Sequence, residues 1–286
     1  MPYWYATLSQ IRSNINTTLD TENVPLLDYA AAVSERIDSE LGRDLPFFLP
    51  YHLEDEEIMV SQSNVNSRTN VLSLPSYWLD IESVTQGGSV RTWDTDVFAY
   101  PPSAEPIHAL RLAAWCNSWY DAACTDCNSA PVTALITGAQ GYRRRGGRQW
   151  KKVGDLAANI NDSVTTITVN DNSSNAITGE SNRDFSAGCL FRIDDEYMFK
   201  LFTNAGNEVE RGAHGTTAAA HTAGADVEVF QVEANIARIT ARQAGLWLAR
   251  RGAYETRNSN ELGTPIAYPT DMLPELWGAL QNYVAL

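Results

Sequence analysis

The sequence lacks any apolar run that approaches the roughly 20 residues a helix needs to cross a bilayer. Its beginning, Met1-Pro2-Tyr3-Trp4-Tyr5, does not join a basic region to an apolar core, so we expect no secretory signal peptide. Four cysteines in 286 residues are too few for a disulfide scaffold. These shortages predict that the protein does not insert into a membrane and that it assembles in a reducing cytoplasm.

Positive charge is also scarce. The chain has 21 Lys and Arg residues against 35 Asp and Glu residues, which gives a net charge of −14. Phosphate contacts need Lys and Arg, so the surface as a whole is unsuited to holding nucleic acid. The charge is uneven, however: residues 20–57 carry eleven acids against two arginines.

The region 143–152 is the basic exception. Six of its ten residues are basic: Arg143, Arg144, Arg145, Arg148, Lys151 and Lys152. The glycines between them favour a loop. Three interpretations remain open: a solvated loop, a contact with acidic protein surface, or a contact with DNA phosphates in a channel. We favour the protein contact, because a channel through which DNA slides should not hold it tightly.

Motifs for catalysis are missing as well. The sequence contains no nucleotide-binding loop, no Ser/His/Asp order and no glycosidase carboxylate pair that we can place. We therefore predict that the protein is not an enzyme and has no cofactor.

Three local groups resemble metal sites only weakly. Cys124 and Cys127 have the right spacing, but they lack the second ligand pair that structural zinc needs. His214 and His221 flank a Gly-containing loop and could share a metal. Asp194-Asp195-Glu196 lacks the spacing of a calcium loop. We interpret these groups as thiols, loop histidines and a polar turn, and we predict no metal site.

Residues 164–230 form a stretch that is rich in Thr, Val and Gly. Its β-branched and alternating runs predict strands at 164–169, 188–194, 196–202, 207–211 and 226–230. Three glycines predict that residues 211–225 form a loop rather than a helix. Several short strands separated by turns indicate a small β-barrel or sandwich.

The flanks of this stretch carry helical periodicity. We predict helices at 8–15 behind Thr7, at 26–41 with Gly42 as a left-handed cap, at 232–251 and at 272–286. Short strands are expected at 58–60, 71–75, 81–85, 90–93, 97–100, 107–115 and 132–136, with 107–115 paired to 132–136. A hairpin turn is expected at 86–89.

Amphipathic helices far apart in sequence must pack together, since none buries its apolar stripe alone. We therefore predict an α+β fold: a helical bundle built from the N- and C-terminal helices, with a β region and an inserted small β-barrel or sandwich module. Residues 1–160 would form the first helices and the β region. Residues 161–231 would form the inserted module, and residues 232–286 the helices that complete the core and a C-terminal tail.

The string FSAGCLFRIDDEYM…NEVERGAHGTTAAAHTAGADVEVF resembles a β module of tailed-bacteriophage virion proteins, over about a quarter of the chain. The segments YAAAVSERIDSELGRD, NVLSLPSYWLDIESVTQGG, AYPPSAEP, VTALITGAQGY, this module and ARQAGLWLARR are similar, in that order, to head–tail adaptor proteins of tailed phages, also called connector, neck or head-completion proteins.

The resemblance implies a homo-oligomeric ring of twelve copies in the neck of the virion. The ring would bind the portal protein on one side and a tail, nozzle or stopper protein on the other, and double-stranded DNA would pass through it. Apolar residues near the C-terminus suit either a portal anchor or the core: Trp277, Leu280, Tyr283 and Leu286. The alternatives are a baseplate or fibre component whose β module binds a host-surface polymer and, third, a wall hydrolase.

Overall fold

The computed structural model describes residues 2–15, 20–61, 63–66, 68–86, 88–113, 132–144, 149–171, 185–203, 208–250 and 274–284. The chain divides into two compact units. The first unit contains Met1–Pro46 and Arg148–Leu286, and the second contains Phe47–Gly147. The expected three-part division at residues 160 and 231 stays a prediction.

Four α-helices belong to the first unit: α1 (Leu8–Ile15), α2 (Asn23–Leu41), α3 (Ala234–Arg250) and α4 (Pro274–Val284). The second unit contains β1 (Tyr51–Val60), β2 (Val65–Asn66), β3 (Val71–Gln86), β4 (Ser89–Arg91), β5 (Val97–Ala99), β6 (Ile107–Leu112) and β7 (Val132–Gln140). The first unit also contains β8 (Trp150–Leu156), β9 (Val169–Asp171), β10 (Leu190–Ile193), β11 (Glu196–Lys200), β12 (Val209–Glu210) and β13 (Asp226–Phe230).

The predicted fold class, a helical bundle built from the terminal helices, is wrong. The described structure is mostly β, with two antiparallel sheets. Helix α3 does contact α1, α2 and α4. An apolar stripe shows that a helix face is buried but not what covers it. Here part of the sheet of the first unit also lies against the helices: the amide of Leu8 in α1 donates to the carbonyl of Ala187 (2.9 Å), just before β10.

The sheet of the second unit has the order β1-β7-β3-β6-β5, with β2 and β4 paired to β3. Its inward-facing side chains form one core around the fully buried Trp78, Leu72 and Leu110. The expected pairing of 107–115 with 132–136 is wrong, because β6 pairs with β3 and β5 while β7 pairs with β1 and β3.

Strand β3 is one continuous strand of 16 residues, where the sequence predicts two. Pro75 lies within it, at the place where the pairing with β6 shifts register between Ser73 and Trp78. A proline is tolerated at such an irregularity because no ladder hydrogen bond is required from it there. The predicted turn at the other end is confirmed, since Gln86 and Ser89 pair across the hairpin into β4.

The sheet of the first unit has the order β12-β11-β10-β13-β8-β9. Strands β10, β11 and β13 confirm the runs predicted at 188–194, 196–202 and 226–230. The β-branched run 164–169 is mostly outside the named strands, with an isolated bridge from Thr166 to Glu208. Strand β8 was not expected, because its first residues belong to the basic region that was assigned to a loop.

Local signals at the helix ends are confirmed. Thr7 Oγ1 accepts a hydrogen bond from the Gln10 amide (3.3 Å), and the Thr7 amide donates to Gln10 Oε1 (2.9 Å). This reciprocal pair is a capping box at the start of α1. Gly42 ends α2 in the left-handed conformation, with φ 64°. In the described part of the chain, every helix is too short or too polar to span a bilayer.

Candidate functional site

The most elaborate polar site lies in the first unit, around the buried carboxylate of Glu196 at the start of β11. Arg211 binds it with two hydrogen bonds, from Nε to Oε1 and from Nη2 to Oε2, both at 2.7 Å. The backbone amides of Gly212 and Ala219 donate to the same two oxygens at 2.9 Å. His221 Nε2 lies 2.9 Å from Oε2.

Arg211 and His221 extend this network to the rest of the loop. Arg211 Nη1 donates to the carbonyls of Val164 (2.8 Å) and Asn161 (3.0 Å), which lie in the connection between β8 and β9. His221 Nδ1 lies 2.8 Å from Asp194 Oδ2. One buried ion cluster thus joins the β10–β11 turn, the 211–225 loop and the 157–168 connection.

The electrostatics of Glu196 make it a structural group rather than a catalytic acid. Burial by itself would raise the pKa of its carboxyl, but the hydrogen bonds from Arg211, Ala219, His221 and Gly212 outweigh burial and hold the pKa below its ordinary value. An ionised carboxylate that accepts five hydrogen bonds has no proton to donate and little capacity left for a substrate.

The cluster accounts for the residue types of the segment 211–216, which reads Arg-Gly-Ala-His-Gly-Thr. Gly212 (φ 59°) and Gly215 (φ 84°) take left-handed conformations that let the loop fold back over Glu196. Thr216 Oγ1 accepts from the Tyr197 amide (3.0 Å) and donates to the Ala213 carbonyl (2.8 Å). The residues of this segment therefore maintain a loop conformation.

Sequence reasoning missed Glu196, because Asp194-Asp195-Glu196 was interpreted as a polar turn. Asp194 and Asp195 are exposed, as that interpretation predicts, but Glu196 is not. One signal was available: Glu196 directly precedes the apolar run Tyr197-Met198-Phe199, and it shares a strand face with the core residue Met198 two positions later.

A second polar site fixes the N-terminal segment to α2. The Tyr5 hydroxyl donates to the buried carboxylate of Asp38 at 2.6 Å, and the Tyr3 hydroxyl donates to the same group at 2.6 Å. Burial, together with the charge of Asp38, raises the pKa of the Tyr3 hydroxyl well above its ordinary range. Trp4 Nε1 donates to the Leu27 carbonyl (2.9 Å), and the Trp4 ring packs edge-on against Phe199 of β11. The N-terminal segment is therefore part of the protein core.

An acidic surface lies on β1 in the second unit. Glu54, Asp55, Glu56 and Glu57 are consecutive and all exposed. The strand lies at the end of its sheet, paired with β7 on one side only. A bulge interrupts the pairing between Leu53 and Glu56, and Asp55 adopts a positive φ of 50° there.

The predicted basic residues are distributed over several environments. Arg143 is half-buried, Arg144 is exposed, and Lys151 and Lys152 are exposed on β8. Lys152 Nζ forms ion pairs with Asp155 (2.7 Å) and Asp226 (2.6 Å), and these hydrogen bonds raise the pKa of Lys152. Arg145 and Arg148 lie outside the described residues.

Of the predicted C-terminal anchor residues, only Trp277 is presented to solvent among those described, with 38% exposure. Leu280 and Tyr283 are buried on the inner side of α4. Leu286 lies outside the described residues. An anchor on this helix would therefore use the Trp277 side.

The candidate metal groups are placed as follows. Each ring nitrogen of His221 has a carboxylate partner, and His214 is buried against the rings of Tyr3 and Phe199. Cys189 is buried and is not part of a disulfide. The remaining thiols, Cys116, Cys124 and Cys127, lie outside the described residues. No group of three or more metal-ligating side chains occurs in the described ranges.

A small cleft lies in the first unit between the N-terminal segment and the ends of β10 and β13. Trp4, Gly188, Cys189, Phe230 and Val232 are among its lining residues.

No protein-family model matches the chain, and no curated protein and no solved structure matches it either.

Proposed function

We propose that this protein is a structural component of the virion of a tailed bacteriophage, a head–tail adaptor that forms a ring under the portal, continues the DNA channel and docks the tail. The observation that carries the proposal is the order of the resembling segments along nearly the whole chain. The ion cluster on Glu196 supports it, because Glu196, Arg211, Gly212, Thr216 and His221 all lie in the string that resembles the phage β module and together fix one loop.

The charge distribution suits a ring through which DNA passes. The chain carries a net charge of −14. Acidic side chains repeated by ring symmetry would present negative potential to the channel, so that the genome slides without adhering. A ring structure with its Asp and Glu side chains directed away from the lumen would contradict this mechanism.

The test of the adaptor proposal is the mass of the purified full chain, alone and mixed with the portal protein of the same phage. We expect either a monomer that assembles into a ring on the portal or a preformed ring that caps it. Light scattering coupled to size exclusion measures both. A chain that neither assembles nor binds the portal would refute the proposal.

The mostly β architecture favours one second candidate, a baseplate or fibre component whose β module binds a host-surface polymer. Fibre proteins resemble this chain in β content but are usually trimers. A stable trimer that ignores the portal and binds surface polysaccharide from the host would replace the adaptor proposal with this one.

A further inference from the structure

The 211–225 loop meets the N-terminal segment, residues 2–7, at His214 in the first unit. The His214 ring packs edge-on against the ring of Tyr3, with centroids 6.2 Å apart, and against the ring of Phe199 in β11, at 4.9 Å. His214 is 7% exposed, and its φ of 49° is a left-handed conformation that residues other than glycine seldom adopt. The loop therefore holds a buried ring, in an uncommon backbone conformation, against the N-terminal segment.

The turn that carries His214 is bound to β11 on both sides of the ring. The Ala213 amide donates to the Tyr197 carbonyl (2.8 Å), and Thr216 Oγ1 accepts from the Tyr197 amide (3.0 Å). Thr216 Oγ1 also donates to the Ala213 carbonyl (2.8 Å), which closes the turn. The network on Glu196 fixes the loop on either side of this turn. Because these bonds lie within a few residues of His214, the position of its ring depends on them.

The N-terminal segment is bound to α2 next to this ring. The Tyr3 hydroxyl donates to Asp38 Oδ2 (2.6 Å), and the Tyr5 amide donates to Ser34 Oγ (3.0 Å). Tyr3 thus contacts α2 with its hydroxyl and the loop with its ring. Its side chain is the point at which a movement of the loop would reach the segment.

We propose that the 211–225 loop is a latch for the N-terminal segment: when the loop leaves β11, the segment leaves α2, and the two open together without unfolding of the sheet. This inference is independent of the adaptor proposal, since it concerns contacts within one copy. Opening uncovers the site where the Trp4 ring packs, which Phe199, Gly188 and the Leu27 carbonyl form. A change in the loop would therefore control access to this apolar site.

Amide hydrogen exchange of the full chain, resolved to single residues, tests the latch. The Tyr5 amide reports on the segment and the Ala213 amide on the loop. The amides of the β10–β13 ladder report on unfolding of the sheet. In wild type we expect the Tyr5 and Ala213 amides to share one protection factor, lower than that of the ladder amides, because a local opening costs less free energy than global unfolding.

Two variants of nearly unchanged shape perturb the latch from its two ends. Thr216→Val removes the hydroxyl in the loop, and Tyr3→Phe removes the hydroxyl that binds Asp38 but keeps the ring that contacts His214. Each should accelerate exchange of both reporter amides about tenfold, since each removes a hydrogen-bonding group from the closed state. Thr217→Val is the matched control, because Thr217 is exposed and should leave both rates unchanged.

His214→Gly tests whether the His214 ring is the link. Glycine adopts the left-handed conformation readily, so this substitution removes the ring and keeps the turn. In this background Thr216→Val should still accelerate the Ala213 amide but leave the Tyr5 amide unchanged.

Three results would overturn the inference. One is acceleration of the Ala213 amide alone by Thr216→Val in the wild-type background. Another is exchange of both reporters at the rate of the ladder amides, since the loop and the segment would then have no opening of their own. The third is a response of the Tyr5 amide to Thr216→Val that persists in His214→Gly, which would place the link elsewhere.

Discussion

At the scale of single residues, Glu196 is the centre of the most elaborate polar network in the described structure, and its carboxylate accepts five hydrogen bonds. Arg211 is 5% exposed and Glu196 1% exposed in their side chains, so the pair is desolvated almost completely. Such a pair contributes little net stability compared with apolar residues, but removing one partner leaves a buried charge alone. The Glu196 side chain therefore holds the 211–225 loop in one conformation, because moving Arg211 away from it would leave a buried charge without a partner.

Glu196→Gln tests this role. The substitution removes the negative charge and leaves the Arg211 guanidinium buried without a counter-ion. We expect the free energy of unfolding to fall by about 3 kcal/mol. Urea denaturation at pH 7 measures the change. Asp195→Asn is the matched control, because Asp195 is the exposed neighbour and should change stability by less than about 0.5 kcal/mol. Equal effects from the two substitutions would contradict the role.

The same carboxyl predicts an acid-dependent stability. The pKa of Glu196 is lower in the folded state than the value of about 4.3 for an unfolded chain. The folded state then binds this proton less tightly, so the ionised group stabilises the fold above about pH 4.3, and this contribution is lost as pH falls through the folded pKa. The difference in the free energy of unfolding between wild type and Glu196→Gln should narrow from pH 7 to pH 3. A difference that does not change with pH would show that the charge of Glu196 does not contribute to stability.

At the scale of elements, the close approach of α1 and α3 depends on one glycine. A Cβ built on Gly245, in the middle of α3, would lie 2.0 Å from Ile15 Cγ2 at the end of α1. Glycine inside a helix normally costs up to about 1 kcal/mol relative to alanine. Here it allows the two helices to touch.

Helix propensity alone would favour alanine at this position, but the added methyl overpacks the contact between α1 and α3. Gly245→Ala is therefore expected to destabilise the first unit by about 1 to 3 kcal/mol. Ile15→Ala combined with Gly245→Ala should recover part of the loss, which thermal unfolding would detect. Gly278→Ala on α4 serves as the control. Nothing lies within 4 Å of its new methyl, so it should be neutral or stabilising. A stabilised Gly245→Ala protein would mean that Ile15 moves aside freely.

The elements also show what the sequence could and could not predict. Helix ends followed from local chemistry, such as Thr7 with Gln10 and the left-handed Gly42. Strand β1 contains the acidic run 54–57, and β8 contains Lys151 and Lys152. Such charged runs are typical of loops, but here they lie on strands with one exposed edge or face. Partner choice in the sheets, and the burial of Glu196, depend on contacts distant in sequence that no local pattern encodes.

At the scale of the whole molecule, net charge opposes the association of copies that a ring requires. Every copy carries a net charge of −14, so copies repel at long range. The Debye length is about 30 Å at 0.01 M salt, about 10 Å at 0.1 M and about 3 Å at 1 M. Added salt therefore weakens the repulsion between copies.

Association of the wild-type chain should consequently strengthen between 0.01 M and 0.1 M NaCl. Sedimentation velocity at 0.01 M, 0.1 M and 1 M NaCl measures it. Replacing Met59 with Gln is the control for an apolar contribution, since its side chain is exposed beside the acids. If association continues to rise to 1 M, apolar surface such as Met59 and Val90 contributes to the contact between copies. Association that is unchanged between 0.01 M and 0.1 M would contradict the role of net charge.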